Sequence, residues 1–231
     1  MAQQPPTHLI VLGGSVVAVE LAQAFQRLGS RVTMLARSSL LSKTDPAIGE
    51  GLKAAFEAEG IRILLNTPPD AVSRDGGTST VRIDSGEVKG DALLVATGRA
   101  PNTDSMALDK AGVTTDERGA IVVGENMRTS VAHVYAAGDC TNQPQFVYVA
   151  AAAGARAATN MLGGDAALEL SAMPAVIFTD PQVGMVGQTE GQAKAQGVDA
   201  ESRTLTLDNE VGDRANGSAR GRVGCIGQQL Q

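Results

Sequence analysis

The chain of 231 residues contains two short segments whose residue types suit the binding of phosphate and hydroxyl groups. In the first, Gly13 to Ala18, Ser15 and Ala18 replace the second and third glycines of a G-x-G-x-x-G pattern. Such a turn between a strand and a helix brings the N–H groups of the helix N-terminus to a dinucleotide pyrophosphate. The variant pattern alone also fits an ordinary strand–turn–helix connection.

The second segment, residues 129–140, presents one carboxylate after a run of small residues. Its apolar stretch predicts a short strand that stops at Ala136, Ala137 and Gly138, with Asp139 at its carboxyl end. Small residues there leave room for a bulky planar ligand, and an ionised aspartate accepts hydrogen bonds from a sugar or polyol hydroxyl. The alternative is an aspartate that caps a helix or closes a turn.

Arg37 indicates which nicotinamide cofactor the first segment would take. Sites for NAD place an acidic residue at the end of the second strand, where it accepts from the ribose 2′-hydroxyl. Here Ala36 and Arg37 stand at that point, and an arginine can pair bidentately with a 2′-phosphate. The sequence therefore predicts NADPH, and the alternative is a solvated surface arginine.

The elements that position these residues follow from the apolar runs. His8–Leu12 predicts a parallel strand buried on both faces. A helix should follow the glycine turn and run to about Leu28, with Gly29 just after its end. A second strand over Arg31–Ala36 completes a strand–helix–strand unit.

Turn residues and apolar periodicity predict further elements beyond this unit. These are a helix from Asp45-Pro46 to Gly60, a strand at Ile61–Leu65, an antiparallel meander between Asp70 and Gly90, a buried strand at Ala92–Gly98, and a helix from about Ala150 to Met161. The alternation of strands and helices is typical of an α/β fold with a parallel sheet.

Composition excludes several classes of protein. A formal net charge of −6 argues against nucleic-acid and anionic-membrane partners. The sequence has neither a long apolar run nor a signal-peptide pattern at its N-terminus. Two cysteines, Cys140 and Cys225, are too few for a disulfide framework, so we expect a reduced, cytoplasmic protein.

Two strings resemble motifs of the FAD-dependent pyridine nucleotide disulfide oxidoreductases. Residues 129–139 resemble the second flavin-binding motif of that family, and residues 96–102 (Ala-Thr-Gly-Arg-Ala-Pro-Asn) resemble the hinge between its cofactor domains. The resemblance implies a Rossmann-like, doubly wound NADPH-binding domain over residues 7–98 and the C-terminal segment of an FAD-binding domain over residues 99–168. Residues 169–231 would then be the truncated start of an α+β dimerisation domain. FAD is the second implied cofactor, and a homodimer is implied for the full-length enzyme.

Within the family, four strings resemble the mercuric reductase branch. They are residues 14–25, 45–49, 138–154 and 172–176. The similarity is lost at Gln188 and in the C-terminal residues 210–231. It implies that NADPH reduces FAD, that the flavin opens a disulfide, and that the thiolates, soft ligands for a soft cation, bind Hg(II) until it leaves as Hg(0). Glutathione or lipoamide reductase, and a nucleotide-binding module without chemistry, are the alternatives.

The resemblance also assigns roles to single residues. Asp139 would bind the ribityl hydroxyl of the flavin, and the backbone N–H of Val147 would face its ring carbonyl region. Glu20 would lie near the flavin–nicotinamide contact, paired with a lysine of a missing segment; the alternative is a helix-surface glutamate. The candidate cofactor-binding residues are Gly13, Gly14, Ser15, Val16, Val17, Glu20, Arg37, Gly98, Gly138, Asp139 and Val147.

The paired redox cysteines of the family have no counterpart in this sequence. We therefore expect part of a longer enzyme, with no catalytic or metal-ligating residue here and weak or no retention of FAD. Cys140 is expected to be a small buried thiol, and His8 and His133 to be ordinary surface or edge residues. Residues 210–231 are expected to be poorly ordered.

Overall fold

The computed structural model describes residues 4–202, which form two compact units. The first unit contains residues 4–98 and 173–202, and the second contains Arg99–Ala172. The expected disorder of residues 210–231 falls outside the described residues. In chain order the elements are β1 (His8–Leu12), α1 (Val16–Arg27), β2 (Arg31–Leu35), α2 (Pro46–Ala58), β3 (Arg62–Leu64), β4 (Ala71–Asp75), β5 (Thr78–Ile83), β6 (Gly86–Gly90), β7 (Ala92–Val95), a 3₁₀ turn (Asp104–Met106), α3 (Val147–Met161), β8 (Pro174–Ile177), β9 (Val183–Val186) and α4 (Glu190–Ala195).

A four-stranded parallel sheet forms the centre of the first unit. Its strands are hydrogen-bonded in the order β3-β2-β1-β7. All five residues of β1 are buried because the strand has neighbours on both sides and layers on both faces. This arrangement confirms the predicted α/β fold class.

The side chains of β1 alternate between two cores. Leu9 and Val11 pack with residues of α1 and α2, including Phe56. Ile10 and Leu12 face the other way and pack with the antiparallel sheet β4-β5-β6. The predicted meander therefore forms, and it covers the face of the parallel sheet opposite the helices.

The end of α1 and the start of α2 lie where the sequence predicts them. After α1, the N–H of Gly29 bonds to the carbonyl of Gln26 at 3.0 Å and the N–H of Ser30 bonds to that of Phe25 at 3.0 Å. This pairing satisfies the last carbonyls of the helix and requires the positive φ of +98° at Gly29. At the start of α2, the carboxylate of Asp45 accepts from the N–H of Ala47 at 2.9 Å.

The prediction of a buried strand at Ala92–Gly98 is wrong. The strand β7 covers Ala92–Val95 and is only half-buried, with Val95 63% exposed. Among the described residues β7 pairs with β1 alone and so forms an edge of the sheet. An apolar run cannot by itself distinguish a central strand from an edge strand.

His8 is buried in β1, so the expectation of a surface or edge residue is wrong. Its Nε2 lies 2.9 Å from Thr33 Oγ1, and its Nδ1 lies 2.9 Å from a guanidinium nitrogen of Arg31. Arg31 can only donate, so Nδ1 accepts and the ring is neutral with its proton on Nε2. His133 is exposed, as expected.

The predicted strand within residues 129–139 does not form. The N–H of Val134 donates to the carbonyl of Val131. The Thr129 hydroxyl accepts from the N–H of Val131 and donates to the carbonyl of Val134. This local side-chain bonding replaces a ladder. One isolated bridge, Arg128 to Tyr135, is the only strand-like pairing of the segment in the described chain.

Candidate functional site

The glycine turn lies at the carboxyl edge of the parallel sheet. Gly13 follows β1 with a φ of +130°, and its N–H bonds to the carbonyl of Leu35 at 2.8 Å. A Cβ atom at Gly13 would lie 2.3 Å from the carbonyl oxygen of Ala96, and one at Gly14 would lie 3.2 Å from the Cβ of Ala36. Both glycines therefore allow the chain to pass between the ends of β2 and β7.

The first turn of α1 is open to solvent. Ser15 is the N-cap residue, but its hydroxyl donates to the carbonyl of Ala96 at 3.2 Å and does not cap the helix. Val16 and Val17 are 37% and 45% exposed. No described side chain accepts from the N–H groups of this turn, and a helix N-terminus with free N–H groups attracts an anion.

Arg37 lies at the same edge. Ala36, directly after β2, is buried, while Arg37 is exposed and forms no ion pair with an acidic residue among the described residues. Because β1 and β2 are parallel, both of their carboxyl ends meet this edge. The structure thus places the following residues at one edge of the sheet: Gly13, Gly14, Ser15, Val16, Val17 and Arg37. Gly98 is the last residue of the N-terminal segment of the first unit and is exposed, with a φ of +150°.

Glu20 lies one turn further along α1. Its Oε1 accepts from the backbone N–H of Phe178 at 2.8 Å, which ties the helix to the residue that follows β8. Within the described chain no lysine pairs with it. The structure therefore shows a partly buried glutamate with a backbone partner.

Sequence reasoning missed Gln23, three residues after Glu20. This residue is buried on the face of α1 that also buries Val19 and Ala22. It bonds both backbone polar groups of Asp180. A polar residue on an otherwise apolar helix face is the signal that could have identified it.

In the second unit, Gly138 and Asp139 lie in an irregular segment. Gly138 has a φ of +89°, and its carbonyl accepts from the N–H and hydroxyl of Thr141 at 3.0 and 2.7 Å. The Asp139 Oδ2 lies 3.1 Å from a guanidinium nitrogen of Arg99, and the Asp139 carboxylate is about half exposed. One ion pair leaves the second carboxylate oxygen accessible to a hydroxyl donor.

Val147 is the first residue of α3 and is 84% exposed. Phe146 precedes it as the N-cap residue and, having no polar side-chain atom, leaves the N–H groups of the first turn uncapped. Phe146 and Tyr148 flank Val147 in the sequence, and their rings stack on each other with centroids 5.2 Å apart. This helix end presents backbone donors on an accessible surface.

The Cys140 thiol is half-buried, so the expectation of a buried thiol is only partly met. Its Sγ lies 3.6 Å from the carbonyl oxygen of Ala137. Among the described residues no group of three or more His, Cys, Asp or Glu side chains could hold a metal ion. No helix within residues 4–202 is long and apolar enough to cross a membrane.

Known proteins share this architecture and much of this sequence. Residues 1–154 match the family model for pyridine nucleotide-disulphide oxidoreductases, and residues 173–228 match that for their dimerisation domain. A mercuric reductase of Shigella flexneri is 58% identical over 94% of this chain, and one of Acidithiobacillus ferrooxidans is 54% identical over 99%. The chain spans 39% and 42% of the length of these two relatives.

A solved structure supports the same relationship. The HOCl-induced flavoprotein disulfide reductase RclA from Escherichia coli superposes with a TM-score of 0.83 at 31% sequence identity. The match covers 95% of this chain and 51% of that protein.

Proposed function

Because the chain belongs to the pyridine nucleotide-disulphide oxidoreductase family, we propose that it is part of an FAD-dependent NADPH:Hg(II) oxidoreductase that reduces Hg(II) to Hg(0). Identity of 54–58% to mercuric reductases over nearly the whole chain supports this substrate. Mercury detoxification is the corresponding role. The cytoplasm suits an enzyme whose chemistry requires reduced thiols.

The open first turn of α1 is the observation that carries the proposal. Its N–H groups, the glycine turn before it and the exposed guanidinium of Arg37 share one edge of the sheet. In our assignment, residues Gly13 to Val17 hold the pyrophosphate of NADPH and Arg37 holds its 2′-phosphate. The turn is a good fit because Gly13 and Gly14 carry no side chain, the Ser15 hydroxyl bonds back to the carbonyl of Ala96, and the N-cap makes no side-chain hydrogen bond to the helix.

For FAD, we assign the Asp139 carboxylate to a ribityl hydroxyl and the Val147 N–H to the ring carbonyl region. Gly138, with a φ of +89° that favours glycine, shapes the backbone directly before Asp139, and we assign Gly98 to the cofactor-binding residues of the first unit. The half-exposed carboxylate and the uncapped helix end fit an acceptor and a donor for such a ligand. When bound, NADPH and FAD supply and relay the two electrons that convert Hg(II) to Hg(0).

We assign no residue of this chain to the thiol pair that holds mercury. Cys140 is half-buried and next to no second cysteine among the described residues. The family resemblance places that pair, and the C-terminal cysteines that deliver Hg(II), in other parts of the enzyme. The match to the dimerisation domain supports a homodimer of the complete protein.

Expression of the complete reading frame that contains this chain tests the proposal. The purified enzyme should oxidise NADPH when Hg(II) is added in the presence of a small thiol, with release of Hg(0) vapour. Glutathione disulfide and lipoamide are the comparison substrates, since other disulfide reductases of the family share the cofactor motifs. NADPH oxidation with either of these and not with Hg(II) would show that the substrate assignment is wrong.

A further inference from the structure

Three side chains on one face of α1 bind residues 178–180, the segment that follows β8, through hydrogen bonds and one ion pair. Glu20 accepts from the N–H of Phe178 at 2.8 Å. Gln23 accepts from the N–H of Asp180 at 2.7 Å and donates to its carbonyl at 2.8 Å. Arg27 reaches the Asp180 carboxylate at 2.7 Å. The spacing of these residues, three and then four positions, places them in one row along the helix.

Gln23 is the centre of this contact. It is 4% exposed, and its amide nitrogen also donates to Glu59 Oε1 on the other side at 2.8 Å. A buried amide whose donor and acceptor are both used fixes its partners in place, and removing it would leave the Asp180 backbone groups without partners. Ile177, just before the segment, is buried in the same core as α1 and anchors its other end.

We propose that Gln23 is a positioning residue for the Glu20 carboxylate. The N–H of Phe178 is the hydrogen-bond partner of Glu20 in the described chain, and Gln23 fixes the backbone two residues away. The orientation of Glu20 is thus set through residues 178–180, while Arg27 reinforces the contact from the exposed side. This inference rests on the proposed function and on the role that the family resemblance gives Glu20, near the flavin–nicotinamide contact.

Gln26 offers a matched control on the same helix. It has the same side chain, and its amide donates to the backbone carbonyl of Glu59 at 2.8 Å. It makes no hydrogen bond to residues 178–180. Gln23→Leu and Gln26→Leu therefore make the same chemical change, but only the first removes the hydrogen bonds to the backbone of Asp180.

Amide hydrogen exchange on the complete flavoenzyme tests the contact independently of activity. Gln23→Leu should lower the protection of the Phe178 and Asp180 amides by about tenfold or more, while Gln26→Leu leaves both near the unsubstituted value. Arg27→Met is the milder second variant, with an expected loss of about twofold because its ion pair is exposed. Unchanged protection at Phe178 in Gln23→Leu would overturn the proposal.

Stopped-flow reduction of the flavin by NADPH tests the consequence. Gln23→Leu should slow flavin reduction at saturating NADPH by about tenfold, since a small misplacement of a group at the reacting centre is costly. The dissociation constant of NADPH should change by less than about twofold, a split that general destabilisation would not produce. Flavin reduction as fast as in Gln26→Leu would refute the positioning role and leave the proposed function intact. An unsubstituted enzyme that fails to reduce its flavin with NADPH would instead refute the proposed function, and with it the role of Glu20.

Discussion

Arg37 is exposed at the end of β2 and has no acidic partner among the described residues, so its guanidinium is available to an anion. We predict that Arg37→Glu weakens NADPH binding by tenfold or more, because a hydrogen bond to a charged group contributes about 1.5–3 kcal/mol. Binding of NADH should be retained or improved, since a carboxylate accepts from the 2′-hydroxyl. Fluorescence titration of the chain with each cofactor measures both constants.

Arg74→Glu is the control for this substitution. Arg74 lies exposed on β4, in the antiparallel sheet, and its replacement makes the same change in net charge. It should leave both dissociation constants unchanged. An NADPH-to-NADH preference that survives Arg37→Glu would show that Arg37 is a solvated surface residue.

His8 gives a second prediction at the level of single residues. Burial, with the nearby Arg31 guanidinium, lowers the pKa of the His8 imidazole from its usual value of 6.5. The unfolded chain therefore takes up a proton at a higher pH than the folded one, and the free energy of unfolding should fall as pH drops below 6.5. Protonation also removes the acceptor at Nδ1 that Arg31 uses.

Urea denaturation at about pH 7.5 and about pH 5 measures this effect. The loss of stability between the two should be smaller in His8→Leu than in the unsubstituted chain. His133→Leu changes the only other histidine, which is exposed, and should leave the loss as it was. An equal loss in all three proteins would contradict the assignment to His8.

At the scale of elements, the connection from β1 to α1 depends on the backbone of Gly13. Gly13→Ala would combine a positive φ with a Cβ atom 2.3 Å from the Ala96 carbonyl oxygen. We expect a loss of about 3 kcal/mol or more in the free energy of unfolding, with weaker NADPH binding.

Gly29→Ala supplies the comparison, because Gly29 also has a positive φ but has nothing within 4 Å of the added atom. Its expected loss is about 1 kcal/mol. Equal losses in urea denaturation would show that contact with Ala96 is unimportant.

At the scale of the whole molecule, the two units differ in how much of a cofactor site they contain. In our assignment the first unit contributes the glycine turn and Arg37 to the NADPH site, whereas the second contributes Asp139 and Val147 to the FAD site. By the family resemblance, the ADP half of FAD is held by a glycine-rich segment that this sequence lacks. The purified 231-residue chain should therefore bind NADPH yet be colourless. The complete enzyme, purified in the same way, should be yellow, and visible flavin absorbance in the shorter chain would contradict the prediction.

Local signals were sufficient for the elements whose ends are set by one or two residues. Asp45 with Pro46, and Gly29 after α1, act through contacts within a few positions of the chain. Accordingly α2 begins at Pro46 and α1 ends at Arg27, as these residues predict. The strand–turn–helix around Gly13 could be predicted for the same reason.

Distant contacts decided the cases where prediction failed. His8 is buried because β2 supplies Thr33 and Arg31, and β7 is half-buried because only β1 lies beside it in the described sheet.

The order of residues alone therefore determined the α/β class, the family and the candidate cofactor residues, since each depends on a local pattern of glycine, charge and apolar periodicity. The tertiary structure decided that residues 129–136 form no ladder, because the Thr129 hydroxyl closes a turn on its own backbone. It also decided that Glu20 meets Phe178 and that Gln23 meets Asp180. Those partners are more than 150 positions apart in the chain, and only packing of β8 against the core of α1 brings them together.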